Sequence, residues 1–444
     1  MLANALFIYG FLSKSFFSLF IGTFFWLGFW VKFSYRIWRL NHAFVDPVGL
    51  FDYSAQSYDH ALMVSSVGLS GLLLSFFVTN LKKFNSINKD STLDSSFANI
   101  PNAYITNYKK ILFLFLLLII VVPLVNFYFG IYQRGEISQT SLPFGLNGVF
   151  KWLLLFGLAS ISALLINYEI VLKSKRINFV IFLAIIEGLF SSVSMLSRGM
   201  VLNLVAIFLG AARTIKIPNS RKVVIWGCFH LLVFISFFYL SVNLSDQIRL
   251  DKIISTSEQT QTQTQTQTQT QTQTSKIHEL LDNPFFVDRW VGIEGVMAVS
   301  SMKNLGWDVW NDAWSECYDE HKISYYDSLL PDSPYKNNDF KKHHFISLPG
   351  IIAFFYYPGS EIFLFLSVFF IGYVFIKFEN LVFYFTKGNL IICALLSEVV
   401  AFRLSNFGYV PKQSYLILIA ILINLALIAS STYSGKHFNR LFNR

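Results

Sequence analysis

The sequence predicts an all-α, polytopic integral membrane protein with about 10–12 transmembrane helices and one large outer loop. Composition is the first reason. Of 444 residues, 54% are hydrophobic, 18% aromatic and only 14% charged, against about 25% charged in soluble domains, and the mean hydropathy is +0.50. Distribution is the second. The apolar residues come in runs of roughly 17–22 with almost no charge, the length that carries a helix across about 30 Å of hydrocarbon. A cytosolic or secreted enzyme is excluded. So is a membrane barrel, whose strands would show short alternating segments.

Taken in order, the runs place helices near 14–33, 60–80, 111–129, 149–168, 178–196, 199–213, 223–243, 360–377, 389–403 and 414–432, with ends good to a few residues. Two shorter runs, 2–12 and 345–358, add a further span or a re-entrant hairpin. The apolar N-terminus lacks a small-residue cleavage site and reads as a retained helix. Cys228 and Cys393 fall inside apolar runs and Cys317 stands alone in a polar region, so no disulfide framework is expected. The net charge of +9 is assigned to cytoplasmic loops rather than to nucleic-acid binding.

Orientation follows from where lysine and arginine collect. Lys82, Lys83, Lys89, Lys109 and Lys110 share one connection, Lys173, Lys175 and Arg176 another, and Arg213, Lys216, Arg221 and Lys222 a third; Lys436, Arg440 and Arg444 end the chain. These are expected to be cytoplasmic, with both termini. Lys32, Arg36 and Arg39 then fall on the wrong side, which makes the first span the weakest part of the assignment. The chain divides into N-terminal helices (1–243), a large outer loop (244–345) and C-terminal helices (346–444). Within the loop, Gln259 to Thr274 is an unbroken Gln-Thr alternation with nothing to bury, read as a disordered spacer. From Asn283 to Tyr318, apolar residues return at helical spacing, which predicts helices lying on the membrane face.

Arg134, Arg198, Arg249, Arg289 and Arg403 all map to outer loops or outer helix ends, where topology gives no reason for a cation. A guanidinium fork matches phosphate oxygens, so Arg134, Arg198, Arg249 and Arg403 are candidate ligands of a pyrophosphate. Pairing with lipid headgroups or loop carboxylates is the alternative. Asp288, Arg289 and Glu294 open the folded part of the loop. Arg289 is the candidate catalytic cation, and Glu294 or Asp288 is either a general base or its structural partner. His343, next to His344, is a candidate proton shuttle or a solvated loop residue. Trp307, Trp310 and Trp314 share one helical face, as sugar-stacking rings or as interface anchors. No metal or cofactor is expected: Cys317 with His321 is a poor ligand set, and no glycine-rich phosphate loop occurs.

Three stretches carry a family resemblance: NFYFGIYQRGEISQTSLPFGLNGVFKWLLLFG at 126–157, SMLSRGM at 194–200 and LPGIIAFFYYPGS at 348–360. With the helix count, the large outer loop and the outward arginines, the chain resembles bacterial oligosaccharide repeat-unit (O-antigen) polymerases of the Wzy type. The resemblance implies a multi-pass protein of the bacterial inner membrane whose site faces the periplasm. It implies metal-independent glycosyl transfer of a growing glycan from undecaprenyl pyrophosphate onto a lipid-linked repeat unit, in lipopolysaccharide or related polysaccharide biosynthesis. Expected partners are that lipid-linked oligosaccharide, membrane lipid, a chain-length regulator and a flippase. An O-antigen ligase shares the layout and differs in acceptor. A lipid-linked oligosaccharide flippase would lack the folded outer loop. A metal-linked lipid-sugar transferase would use paired acids in the first outer loop, where Asp46, Asp52 and Asp59 form no such pair.

Overall fold

The computed structural model describes residues 1–40, 42, 44, 46–81, 100–215, 236, 239, 240, 244, 290–337 and 344–442. Of the expected run 223–243 only residues 236, 239 and 240 are described, and the Gln-Thr tract and the residues Arg249, Asp288, Arg289 and His343 lie outside the described residues. The described chain is helical, with no strand.

Thirteen helices are used below. They are α1 (Leu2–Leu12), α2 (Phe16–Trp38), α3 (Ala55–Leu81), α4 (Asn102–Phe129), α5 (Pro143–Val171), α6 (Ile177–Ser194), α7 (Val201–Ile215), α8 (Ile293–Ser300), α9 (Trp307–Ser315), α10 (Gly350–Phe355), α11 (Glu361–Phe385), α12 (Leu390–Ser405) and α13 (Ser414–Phe442). Seven segments among the described residues are long and apolar enough to cross a membrane: α2 to α6, α11 and the α13 region. α1 and α7 are shorter apolar helices. α3 packs along α11, and α12 packs against α2 and α7. The exposed faces of α4, α11 and α13 carry Phe113, Leu117, Leu124, Ile362, Phe370 and Leu422, as hydrocarbon-facing helices should.

The helices alternate, and each end of the bundle is tied differently. At one end Glu379 of α11 caps α2: its carboxylate accepts from the Phe16 and Phe17 amides at 2.8 and 3.0 Å and from Ser15 Oγ at 2.5 Å. There the orphan amides of a helix start are met by a neighbouring helix instead of by water. Arg213 donates to the Lys14 carbonyl at 2.7 Å, and Arg176 meets Glu169 at 3.2 Å. Among the described residues Lys14, Arg176 and Arg213 therefore share one end.

The opposite end is covered by residues 290–337 and 344–349, which form a cap. Carboxylates fasten it to the bundle's connections with charge-assisted hydrogen bonds. Asp332 accepts from the Val48 and Gly49 amides, both at 2.9 Å. Glu316 accepts from Val410 N at 3.2 Å, and Glu320 from Ser138 N at 2.9 Å. Inside the cap, buried Asp327 accepts from Ser324 and Ser333 hydroxyls and from Ser347 N.

One expectation is corrected here. The first helical pattern of the large loop was read as lying on the membrane face. Instead α8 is inserted into the bundle, with Ile293 to Val299 all buried, against α3 and α10. Glycine makes this possible. A Cβ on Gly292 would stand 2.4 Å from the Gly28 backbone, and one on Gly295 would stand 2.0 Å from the Pro349 carbonyl, so backbones pass where side chains would block them. Gly28 belongs to a π-helical turn, Trp26–Val31, the kind of local widening often found at functional sites. The run 345–358 is no span either: α10 has six residues, all buried, and re-enters the bundle under the cap.

Candidate functional site

The cap end carries a cationic cluster built from three connections. α4 ends at Gly130, whose φ of 56° gives the left-handed C-terminal stop. The chain then hooks back on Asn126. Its side-chain amide donates to the Tyr132 carbonyl at 3.0 Å and to Ser194 Oγ at 2.8 Å, and its Oδ1 accepts from Tyr132 N at 2.9 Å. Arg134 N then donates to the Met195 carbonyl at 2.9 Å. This hook hangs Tyr132 and Arg134 beside the turn Arg198–Met200, and a Cβ on Gly199 would lie 3.5 Å from Arg134 Nη1.

α12 supplies the second wall. The Arg134 guanidinium lies over the Phe402 ring at 5.8 Å, and Arg403 follows in the same helix. Lys151, from α5, stands 4.7 Å over the Tyr132 ring. Burial would raise the Tyr132 phenol, but Lys151, Arg134 and Arg403 outweigh it and hold the group below its ordinary value. Three cations thus act on one phenol, and Arg134 also acts on the Glu398 carboxyl. Arg403 Nη2 donates to the Tyr409 carbonyl at 3.4 Å. Its Nε is buried and meets no acceptor among the described residues, a cost of about 1–3 kcal/mol for a buried donor. The cluster therefore gathers positive charge around a buried donor that meets no acceptor among the described residues.

His344 braces it. Its Nδ1 lies 3.0 Å from the Glu320 carbonyl and its Nε2 lies 2.8 Å from the Tyr409 hydroxyl. A carbonyl only accepts, so Nδ1 carries the proton and Nε2 accepts from Tyr409. Burial lowers the imidazole's affinity for a second proton, ahead of the opposing Glu320 carbonyl and carboxylate. The neutral ring therefore locks Tyr409, and through it the carbonyl that holds Arg403.

A second polar group lies across the aromatic partition of Phe402 and Phe24, whose rings meet edge to face at 5.9 Å. Trp290 stacks on Phe24 at 5.4 Å, and its carbonyl accepts from Lys32 at 3.2 Å. Lys32 is fully buried between Asp46, at 2.9 Å, and Glu294, in direct contact; Asp46 is 45% exposed and Glu294 2%. Burial raises the Glu294 carboxyl and Asp46 raises it further against the pull of Lys32, leaving it pushed up to about 8. Lys32 therefore serves Asp46 as counter-ion while Glu294 keeps its proton near neutrality.

Of the expected site residues, the structure brings Arg134 and Arg403 together beside the turn that Arg198 opens. The Glu294 partner among the described residues is Lys32. Trp310 and Trp314 stack on each other at 5.4 Å and lie against Phe363, Phe354 and Phe407, so each indole gives one face to the other. Trp307 is 53% exposed. Sequence reasoning missed Lys32, Asp46, Tyr132, Lys151, Glu398 and Tyr409. Lys32 and Arg36 did carry a signal, since they violated the orientation rule, and both are buried. They are interior polar groups and report nothing about topology.

Compared with known proteins, the chain matches no family model, no curated protein and no solved structure. Its function rests on the site itself. Among the described residues no three His, Cys, Asp or Glu side chains gather as a metal set. The segments 126–134, 194–200 and 402–409 meet at the cationic cluster, and 348–360 packs on the last of them: Gly350 N donates to the Phe407 carbonyl at 2.9 Å.

Proposed function

We propose that the chain is a membrane glycosyltransferase that extends a lipid-linked glycan, taking the growing polymer from undecaprenyl pyrophosphate and joining it to a lipid-linked repeat unit. In this reading it resides in the bacterial inner membrane with the cap end in the periplasm. The observation that carries it is the cationic surroundings of Tyr132, with Lys151 over its ring and Arg134 over the neighbouring Phe402 ring, beside the buried Arg403 Nε, where helix ends meet the cap.

Transfer forms a bond from the acceptor hydroxyl to the donor's anomeric carbon while the bond from that carbon to pyrophosphate breaks, and the electron pair leaves with the phosphate. The proton passes to a base. Charge develops on the leaving oxygen, and fixed cations in a water-poor cleft stabilise it most where it develops. The hook at Asn126 and the brace at His344 are suited to keeping those cations in place without substrate.

The test is a gel of surface polysaccharide from a strain deleted for the chain. A polymerase loss leaves a single repeat unit attached. Loss of a ligase or a flippase leaves none, and an unchanged ladder overturns the glycan reading altogether.

A further inference from the structure

Just past α9 the cap leaves one aromatic ring open beside the cationic cluster. Tyr318 is 46% exposed. Its hydroxyl donates to Glu320 Oε1 at 2.6 Å, so the polar end of the ring is already used and what remains to meet a ligand is carbon. Tyr409 and His344 each stand 6.1 Å from it, at 61° and 66°, and neither lies parallel on its faces. Glu320 is half-buried and also accepts from Ser138 N at 2.9 Å. A carboxylate has about four acceptor positions, so Tyr318 and Ser138 do not exhaust it. An open ring and a carboxylate with acceptor positions to spare are thus joined by a hydrogen bond.

We infer that Tyr318 and Glu320 form a sugar-binding subsite, in which the ring takes the C–H face of a pyranose and the carboxylate accepts hydrogen bonds from its hydroxyls. The inference rests on the proposed function and assigns part of its substrate: the subsite takes the sugars of the lipid-linked oligosaccharide nearest the pyrophosphate. Direct contacts join it to both cationic connections. The Tyr409 ring that stands against Tyr318 belongs to the residue whose carbonyl accepts from Arg403 Nη2 at 3.4 Å. Glu320 holds the amide of Ser138, in the connection that carries Tyr132 and Arg134. A glycan held by its phosphate at Arg403 therefore begins one side chain away from the Tyr318 ring.

Chemistry separates this ring from a lipid anchor. An interface ring keeps its body in hydrocarbon and turns its hydroxyl to water. Tyr318 gives its hydroxyl to a carboxylate and is flanked by Glu316, Asp319, Glu320, His321 and Lys322, a stretch too costly to bring into hydrocarbon. The loop is also fixed before a ligand arrives. Glu316 accepts from Tyr325 N and Val410 N at 2.6 and 3.2 Å, and His344 Nδ1 donates to the Glu320 carbonyl at 3.0 Å. A ring already held in place lowers the ordering cost of binding. The tryptophans of α9 are placed otherwise: Trp310 and Trp314 stack on each other, and Trp307 stands 4.8 Å from Phe363 of the α11 span, where an interface anchor belongs.

The experiment uses the full chain in lipid nanodiscs and, as probe, the oligosaccharide freed by mild acid from the polyprenyl-linked pool of the strain that carries the chain. Binding is read by titration and by saturation-transfer NMR. Wild type should bind; Tyr318→Leu should weaken binding about tenfold or more, Tyr318→Phe, which keeps the ring, should retain most of it, and Trp307→Ala should bind as wild type. Wild-type affinity in Tyr318→Leu, or loss of binding in Trp307→Ala instead, overturns the assignment. One measurement needs no variant: in a chain deuterated except at tyrosine, saturation of the ring protons should still reach the sugar C–H protons, and its absence overturns the subsite even where Tyr318→Leu fails to fold. Failure of the glycan reading looks different: the wild-type chain binds no oligosaccharide and the deletion strain keeps its full polysaccharide ladder. A wild-type chain that binds none while its deletion leaves single repeats overturns the subsite alone.

Discussion

Lys32 and Glu294 meet in the interior of the cap end, the ammonium of the first span in direct contact with a carboxyl from the inserted helix of the large loop. Asp46 shares the same ammonium. Two carboxyls on one buried cation cannot both ionise cheaply, and the more deeply buried one stays protonated.

A pH dependence follows from that sharing. The Glu294 carboxyl is pushed up to about 8, first by burial, while an unfolded glutamate titrates near about 4.3. Below both values the group is protonated in either state and stability does not respond to it. Between them the unfolded chain releases the proton and the folded chain keeps it, so stability falls as pH rises, by at most about 1.4 kcal/mol per unit. Thermal unfolding in nanodiscs should therefore show a midpoint that drops from pH 5 to pH 8, and Glu294→Gln should flatten the slope. Lys32→Met should lower the midpoint further, because Asp46 loses its counter-ion. An unchanged slope in Glu294→Gln would show that this carboxyl is ionised throughout.

Arg403 should matter to the reaction more than to the fold. If its Nε and Nη2 face the leaving pyrophosphate, Arg403→Ala should lower transfer about a hundredfold or more. Arg403→Lys keeps the charge without the fork and should recover only part of it. Glycan chain length measured beside the amount of protein in the membrane checks this; normal chains from Arg403→Ala at normal abundance would remove the residue from the site.

Most of the bundle was legible because hydrocarbon imposes length and composition on a span. The run expected at 178–196 is α6 at Ile177–Ser194, and 389–403 is α12 at Leu390–Ser405. What covers a helix was not legible. The spacing of Ile293 and Met297 is the same for a helix on a surface as for one inside, and only the contact of Gly28 with Gly292 decides between them. Arg134 and Arg403 could be found because each breaks the charge asymmetry on its own. Lys32 breaks it too, but its partner Glu294 lies so far along the chain that the pair reads as two unrelated charges. Lys151 looked like an ordinary helix-end lysine, and its ring partner Tyr132 is supplied by a hook that depends on Asn126.

That hook gives a third prediction. Asn126 is fully buried and spends its amide on Tyr132 and Ser194. Replacing it with alanine strands the Tyr132 amide and carbonyl, at roughly 2–4 kcal/mol for two buried groups. Asn126→Asp keeps the acceptor for Tyr132 N but turns a second oxygen toward two carbonyls, and should be the worse of the two. Thermal midpoints of both variants, with chain length measured at a temperature where each is folded, test the hook. Wild-type chain length in a folded Asn126→Ala would mean that Tyr132 and Arg134 are placed by other contacts.

Orientation is the last prediction, and the proposed reaction depends on it. Lys14, Lys173, Lys175, Arg176 and Arg213 lie at the end of the bundle opposite the cap, and the positive-inside tendency puts such connections in the cytoplasm. Four cations at the cap end have structural occupations: Lys32 is spent on carboxyls, and Arg134, Arg403 and Lys151 act on Tyr132. A reporter fused after Lys110 or Lys222 should thus read cytoplasmic, and one inserted within Gln259 to Thr274 should read outside. The insertion is a fair probe because a tract with nothing to bury tolerates a change of length at well under about 1 kcal/mol of loop-closure entropy. A cytoplasmic signal from the tract would turn the cationic cluster toward the solvent that holds nucleotide-linked donors, and the polyprenyl-pyrophosphate reading would fall with it.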